Sequence, residues 1–184
     1  MSKGKALIAA TLTVSVAAAT MVMVHAQQKS KAPTLTPLDY VEIQQLVARY
    51  AYALDTGAQD GTGSVYAGLF TPDGVFVGGS SGRVAKGREQ LAALARVAPG
   101  GTRGPLTVGH FIVNHVIEPS PEGAIGKQYL AYLIFGDEGQ GGSINLGGHY
   151  EDIYAKTADG WRFKRREFIP SKSGPQGTQT PPLR

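Results

Sequence analysis

The sequence contains no cysteine, which excludes disulfides, thiolate nucleophiles and Cys-ligated metals. It also lacks a His-Glu-x-x-His run or any comparable metal-binding spacing. His110 and His115 differ by an odd number, so a regular strand would put them on opposite faces, and His149 with one further strand histidine makes a poor site. No metal is expected. The glycine string Gly78-Gly79-Ser80-Ser81-Gly82 has no Gly-Lys-Ser/Thr ending, so it is not a phosphate loop. Basic charge is scarce where a polyanion would need it. The formal net charge is +4, but Lys3, Lys5, Lys29, Lys31, Lys172 and Arg184 lie near the two ends. Twelve Lys and Arg then face 14 acids between Pro37 and Pro170, leaving that segment near −2. No nucleic-acid partner is expected.

What is present begins with an export pattern. Lys3 and Lys5 precede an apolar run of small residues, Ala6 to Val24, and Val24-His25-Ala26 fits a small-x-small cleavage site. Residues 1–26 therefore read as a signal peptide, and the protein as exported, periplasmic or secreted, with no membrane association after cleavage. Residues 27–36 read as a flexible lead-in, 37–170 as one domain and 171–184, rich in Pro, Gly, Thr and Gln, as a disordered tail.

Within the domain, Thr36-Pro37 with Asp39 three residues after the cap predicts a helix start. Ile43, Leu46, Val47, Tyr50 and Leu54 recur at helical spacing, and Asp55 closes the helix. A short helix over Val65 to Phe70 should end at the turn Thr71-Pro72-Asp73-Gly74, followed by short strands around Phe76 and Arg83 to Ala85. A third helix is expected over Gly87 to Ala98, then four long strands joined by hairpins. Helices first and antiparallel strands afterwards predict an α+β fold, with a curved sheet over three helices and an apolar cavity between them.

The stretch PLTVGHFIVNHVIE, Pro105 to Glu118, reads as a strand by its period of two. His110 and Asn114 share one parity with Val108, Ile112 and Val116. A histidine in an apolar enclosure takes its tautomer from its partner, and Asp55 is the expected partner. The alternative is a hydrogen-bonded core histidine without chemistry. Asp152 and Arg166 read as a cross-strand pair, and the run Arg162 to Arg166 as a solvated face divided by parity between both sides.

The phrases YAYALD, LFTPDGVF, VGHFIVN and GGHYEDIYAKTADGWRFKRR resemble the SnoaL-like group of the nuclear transport factor 2-like superfamily, over about Leu38 to Ile169. That resemblance implies a cone-shaped α+β fold and a homodimer or homotrimer. The nearest enzymatic likeness is to scytalone dehydratase and bile acid 7α-dehydratase, which implies catalysis without an organic cofactor by a cavity His–Asp pair and tyrosines. Carried over, His110 and Asp55 are the base pair and Tyr50 a catalytic tyrosine. Asn114, Tyr150, Phe76, Gln128 and Leu54 become ligand-binding positions. Leu54 and Phe76 replace tyrosines, Gln128 replaces a second histidine and Pro170 replaces an arginine of those enzymes.

The implied function is an exported, cofactor-independent dehydratase, isomerase or cyclase acting on an apolar carbonyl-bearing molecule. Two alternatives stand beside it: a non-catalytic periplasmic binding or accessory protein for an apolar ligand, and a dimerisation module. Tyr50 and Tyr150 also read as packing aromatics with satisfied hydroxyls.

Overall fold

The computed structural model describes residues 34–56, 61–78, 82–97, 107–136 and 141–171. The expected signal peptide, most of the lead-in, four internal stretches (57–60, 79–81, 98–106 and 137–140) and nearly all of the tail lie outside the described residues. Helix α1 spans Pro37–Asp55, α2 Ser64–Gly68 and α3 Gly87–Arg96. The strands are β1 Phe70–Gly78, β2 Arg83–Lys86, β3 Val108–Ser120, β4 Gly123–Ile134, β5 Ser143–Thr157 and β6 Gly160–Pro170. They form one six-stranded sheet in the order β2-β1-β6-β5-β4-β3. The sheet is curved, as the α+β reading expected, and all its pairs are antiparallel except β1 with β6, which makes it mixed where an antiparallel sheet was expected.

The start of α1 is fixed by a capping box. Thr36 N donates to Asp39 Oδ2 at 2.8 Å, and Asp39 N donates back to Thr36 Oγ1. Asp39 Oδ1 also accepts from Lys156 Nζ at 2.5 Å and Trp161 Nε1 at 3.0 Å. One carboxylate thus ties the helix start to the β5–β6 hairpin. The stripe of Ile43, Leu46, Val47, Tyr50 and Leu54 is buried as its spacing predicts. Thr71-Pro72-Asp73-Gly74 corrects the sequence reading. It lies inside β1, where the register against β6 jumps from Phe70↔Phe163 to Val75↔Arg165. The turn chemistry, including Thr71 Oγ1 donating to Asp73 Oδ1 at 2.9 Å, is used for a bulge within the strand.

The centre of the core is a cation. Arg166 has no exposed surface, and its guanidinium lies 3.9 Å from the Tyr50 ring centroid, 3.8 Å from Tyr150 and 4.6 Å from Phe163. Its Nη1 is 3.6 Å from Asp152 Oδ2, which makes the expected cross-strand pair. That Arg166 is inside overturns its reading as part of a solvated face. Ile153↔Arg165 is followed by Tyr154↔Phe163, so Lys164 is an extra residue in β6. The bulge reverses the parity beyond it, and Trp161, Phe163, Arg166 and Phe168 all become buried. Burial pushes the Asp152 carboxyl above its ordinary value, opposed by the Arg166 charge and by hydrogen bonds from Tyr154 and Gln128.

Two stability predictions follow from these ties. Asp39→Asn should cost about 1–2 kcal/mol in urea unfolding at neutral pH, the usual loss of a helix cap. Hydrogen bonds from Lys156, and then from Thr36, hold the Asp39 carboxyl well below its ordinary value. Its contribution is therefore present above the unfolded value near 4 and is lost as pH falls through the folded one. The gap between wild type and Asp39→Asn should narrow below about pH 4; a constant gap would mean the charge is irrelevant. Arg166→Met should cost about 3–5 kcal/mol by leaving Asp152 buried without its counter-ion. Adding Asp152→Asn should recover most of that loss, and a simple sum of the two single costs would refute the pairing.

Candidate functional site

An open cleft of about 500 Å³ lies between α1 and β3. That volume is in the range of small-molecule sites. Its walls are mostly apolar: Val47, Ala48, Ala51 and Tyr52 from α1, Gly109, Phe111, Ile112 and Val113 from β3, and Phe135 beyond β4. The polar lining groups are Gln44, Asp55, His110, Asn114 and His115.

Asp55 is the last residue of α1 and His110 stands near the start of β3, on the sheet edge. The carboxylate binds the histidine twice. His110 Nδ1 lies 2.5 Å from Asp55 Oδ1, and the His110 backbone N–H donates to Oδ2 at 2.8 Å. Both side chains are largely covered, with 14% of the histidine and 11% of the aspartate exposed. With Nδ1–H given to the carboxylate, the lone pair is on Nε2, and the ring cannot rotate without breaking that bond. Such an arrangement can take a proton from a bound molecule at Nε2, or accept a hydrogen bond there.

Tyr132 is the cross-strand partner of His110, and its ring meets the imidazole edge-on with centroids 4.8 Å apart. Burial, and then the Asp55 charge, raise its phenol above the ordinary value, so it stays a proton donor. Sequence reasoning missed this residue. The signal was available, because Gln128, Leu130 and Tyr132 share the parity of β4 that faces inward.

The other candidates are distributed differently. Asn114 borders the cleft but is solvent-exposed, and it adopts φ 55°, left-handed and uncommon for a residue other than glycine. Tyr50 and Tyr150 are buried against Arg166, with ring centroids 5.7 Å apart. Gln128 is buried, its Nε2 donating to Asp152 Oδ2 at 2.5 Å. Leu54 belongs to the core, and Phe76 packs half-buried against it. None of these five lines the cleft. They were expected at a cavity from the resemblance to the dehydratases; the inward face here is filled around Arg166.

The bulge at Asn114 changes one further expectation. Val113↔Tyr129 is followed by Val116↔Lys127, so β3 carries one extra residue there. His115 consequently turns to the same side as His110 instead of the opposite one, and both line the cleft. His149 lies elsewhere, with Nε2 3.6 Å from Glu151 Oε1 and Glu151 in turn bound to Lys127. Among the described residues, no group of three or more His, Asp or Glu side chains converges in a way that could hold a metal ion.

Comparison with solved structures supports the same architecture. A variant of a Mycobacterium tuberculosis protein of unknown function aligns with TM-score 0.60 at 25% identity, covering 74% of this chain and 77% of that one. A Catenulispora acidiphila protein in complex with S-DNPA aligns with TM-score 0.59 at 25% identity, covering 73% and 95%. ActVI-ORFA from Streptomyces coelicolor, at 20% identity and TM-score 0.59 over 73% and 98%, shares the fold. No curated protein matches in sequence. The SnoaL-like domain model matches residues 36–167, from the helix cap through the strand that carries Arg166, and the chain belongs to that family.

Proposed function

We propose that this protein is an exported, cofactor-independent enzyme that removes a proton next to a carbonyl of an apolar small molecule, as dehydratases, isomerases and cyclases do. The observation that carries the reading is the double hold of Asp55 on His110 at the wall of an apolar cleft. His110 Nε2 is the base. It takes a proton from the carbon beside the carbonyl, and the electron pair moves onto the carbonyl oxygen. Tyr132, a protonated phenol beside the imidazole, is the donor to that oxygen, the role for which Tyr50 or Tyr150 was the candidate in the sequence. The imidazolium then returns the proton to another carbon, or to a departing hydroxyl as water leaves. Asp55 stabilises the charge that His110 gains. The resemblance to cofactor-independent dehydratases and the ligand-bound Catenulispora relative support a small-molecule site.

A second reading is favoured by the placement of Tyr50, Tyr150 and Gln128 away from the cleft. With fewer polar groups beside the dyad, the protein would hold an apolar ligand without turning it over.

Exchange of acetyl protons for deuterium in 4-acetylbiphenyl distinguishes the two. A catalytic base contributes about 10²–10⁴ in rate. His110→Gln should lose that factor while affinity changes by less than about tenfold, and Tyr132→Phe should slow exchange with binding retained. Asp55→Asn should lose less than His110→Gln, because the imidazole remains. Binding by the wild type without exchange above the His110→Gln background would establish the second reading.

A further inference from the structure

The second histidine of the cleft is held as deliberately as the first. His115 Nε2 lies 3.1 Å from the Tyr154 hydroxyl. That hydroxyl donates to Asp152 Oδ2 at 2.7 Å, so its oxygen accepts the proton on His115 Nε2. The tautomer is thereby set, with Nδ1 left as an acceptor. Asp152 is steadied in turn by Gln128 and by Arg166. The path is kept open by Gly126 on β4, where a Cβ would stand 2.9 Å from both His115 Nε2 and the Tyr154 hydroxyl oxygen. Any side chain there would press the two apart. Burial, and then the Arg166 charge, pull His115 down to about 4, so it is neutral at neutral pH and acts as an acceptor, not a cation. The groups that face this relay are Asp152 and Tyr154 on β5, Gln128 on β4 and Arg166 on β6.

We propose that His115 is a second ligand anchor of the cleft, and that the ligand is an elongated apolar molecule with its carbonyl at His110 and a hydroxyl at the far end donating to His115 Nδ1. The proposal rests on the reading of the cleft as a site for apolar carbonyl compounds, and it names which of them the site selects. Two observations fix the geometry. The Asn114 bulge turns both imidazoles to one side of β3, and five residues of extended chain separate them by roughly 15 Å. Between them the wall is apolar, through Ile112 and the facing Val47 and Ala48. His115 takes no part in the proton transfer; it sets the position and end-group preference of what His110 acts upon.

The test compares 4-acetyl-4′-hydroxybiphenyl with 4-acetylbiphenyl by isothermal titration calorimetry on the protein. One hydrogen bond predicts about three- to tenfold tighter binding of the hydroxylated rod. In His115→Phe that preference should vanish. Tyr154→Phe, which leaves His115 in the cleft but frees its tautomer, and Gly126→Ala, which presses the ring away from the Tyr154 hydroxyl, should reduce the preference without abolishing binding. In the wild type, the ¹⁵N shifts of His115 should show a protonated Nε2 and a bare Nδ1 from pH 8 to 5.5. Equal affinity for the two rods, a preference that survives His115→Phe, or binding of neither rod would each overturn the proposal. Deuterium exchange into 4-acetylbiphenyl separates this from the dyad. Exchange without a hydroxyl preference leaves the His110 reading standing alone, and a hydroxyl preference without exchange leaves only the anchor.

Discussion

A guanidinium with no exposed surface determines what the interior of this domain can be. Arg166 packs against the rings of Tyr50 and Tyr150, and its charge is balanced by Asp152. Those contacts spend the inward-facing aromatics of α1 and β5 on holding a cation. Asp152 in turn engages Gln128 and Tyr154, which fixes the inner face of β4 and β5. The consequence for function is spatial. The space that would lie under the middle of the sheet is occupied by packed side chains, and the apolar cleft lies instead in the gap between α1 and the edge strand β3.

Two single-residue insertions account for much of the chemistry inside. The extra residue at Lys164 brings Arg166 inward, and the extra residue at Asn114 does the same for His115. A period-two reading of either strand gives the opposite answer for the residues that follow. No turn residue or glycine marks these bulges. Asn114 is a partial exception, since asparagine tolerates the left-handed conformation it adopts. Elsewhere local chemistry was legible. Thr36, Pro37 and Asp39 form the cap their order predicts, and the stripe from Ile43 to Leu54 is buried. Asp55 and His110 also meet as their placement at a helix end and an inward strand position suggested. Tyr50, Tyr150 and Gln128, carried over from the family resemblance, face inward but pack around Arg166 and Asp152 instead of lining the cleft. Alternation gives orientation without revealing whether the space ahead is a pocket or an arginine.

The dyad and the core are connected through β3. Its first half is fastened to α1 by Asp55, which binds both the ring and the backbone N–H of His110. Its second half is fastened to the Arg166 cluster through His115 and Tyr154. An edge strand lacks one neighbour's hydrogen bonds, so two side-chain ties at either end of the cleft restrict its motion where the sheet cannot. The same ties orient both imidazoles. Structural restraint and preorganisation of the site are therefore the same contacts, and a change at Asp152 or Arg166 is transmitted to the cleft wall.

The central claim is that Asp55 holds His110 with its proton on Nδ1 and its lone pair on Nε2, facing the cleft. Long-range ¹H–¹⁵N correlation of the protein at pH 8.5 tests this directly. The account predicts a protonated Nδ1 and an unprotonated Nε2 for His110, together with a downfield Nδ1 proton that disappears in Asp55→Asn. A ring carrying its proton on Nε2, or one whose tautomer is the same in Asp55→Asn, would contradict it.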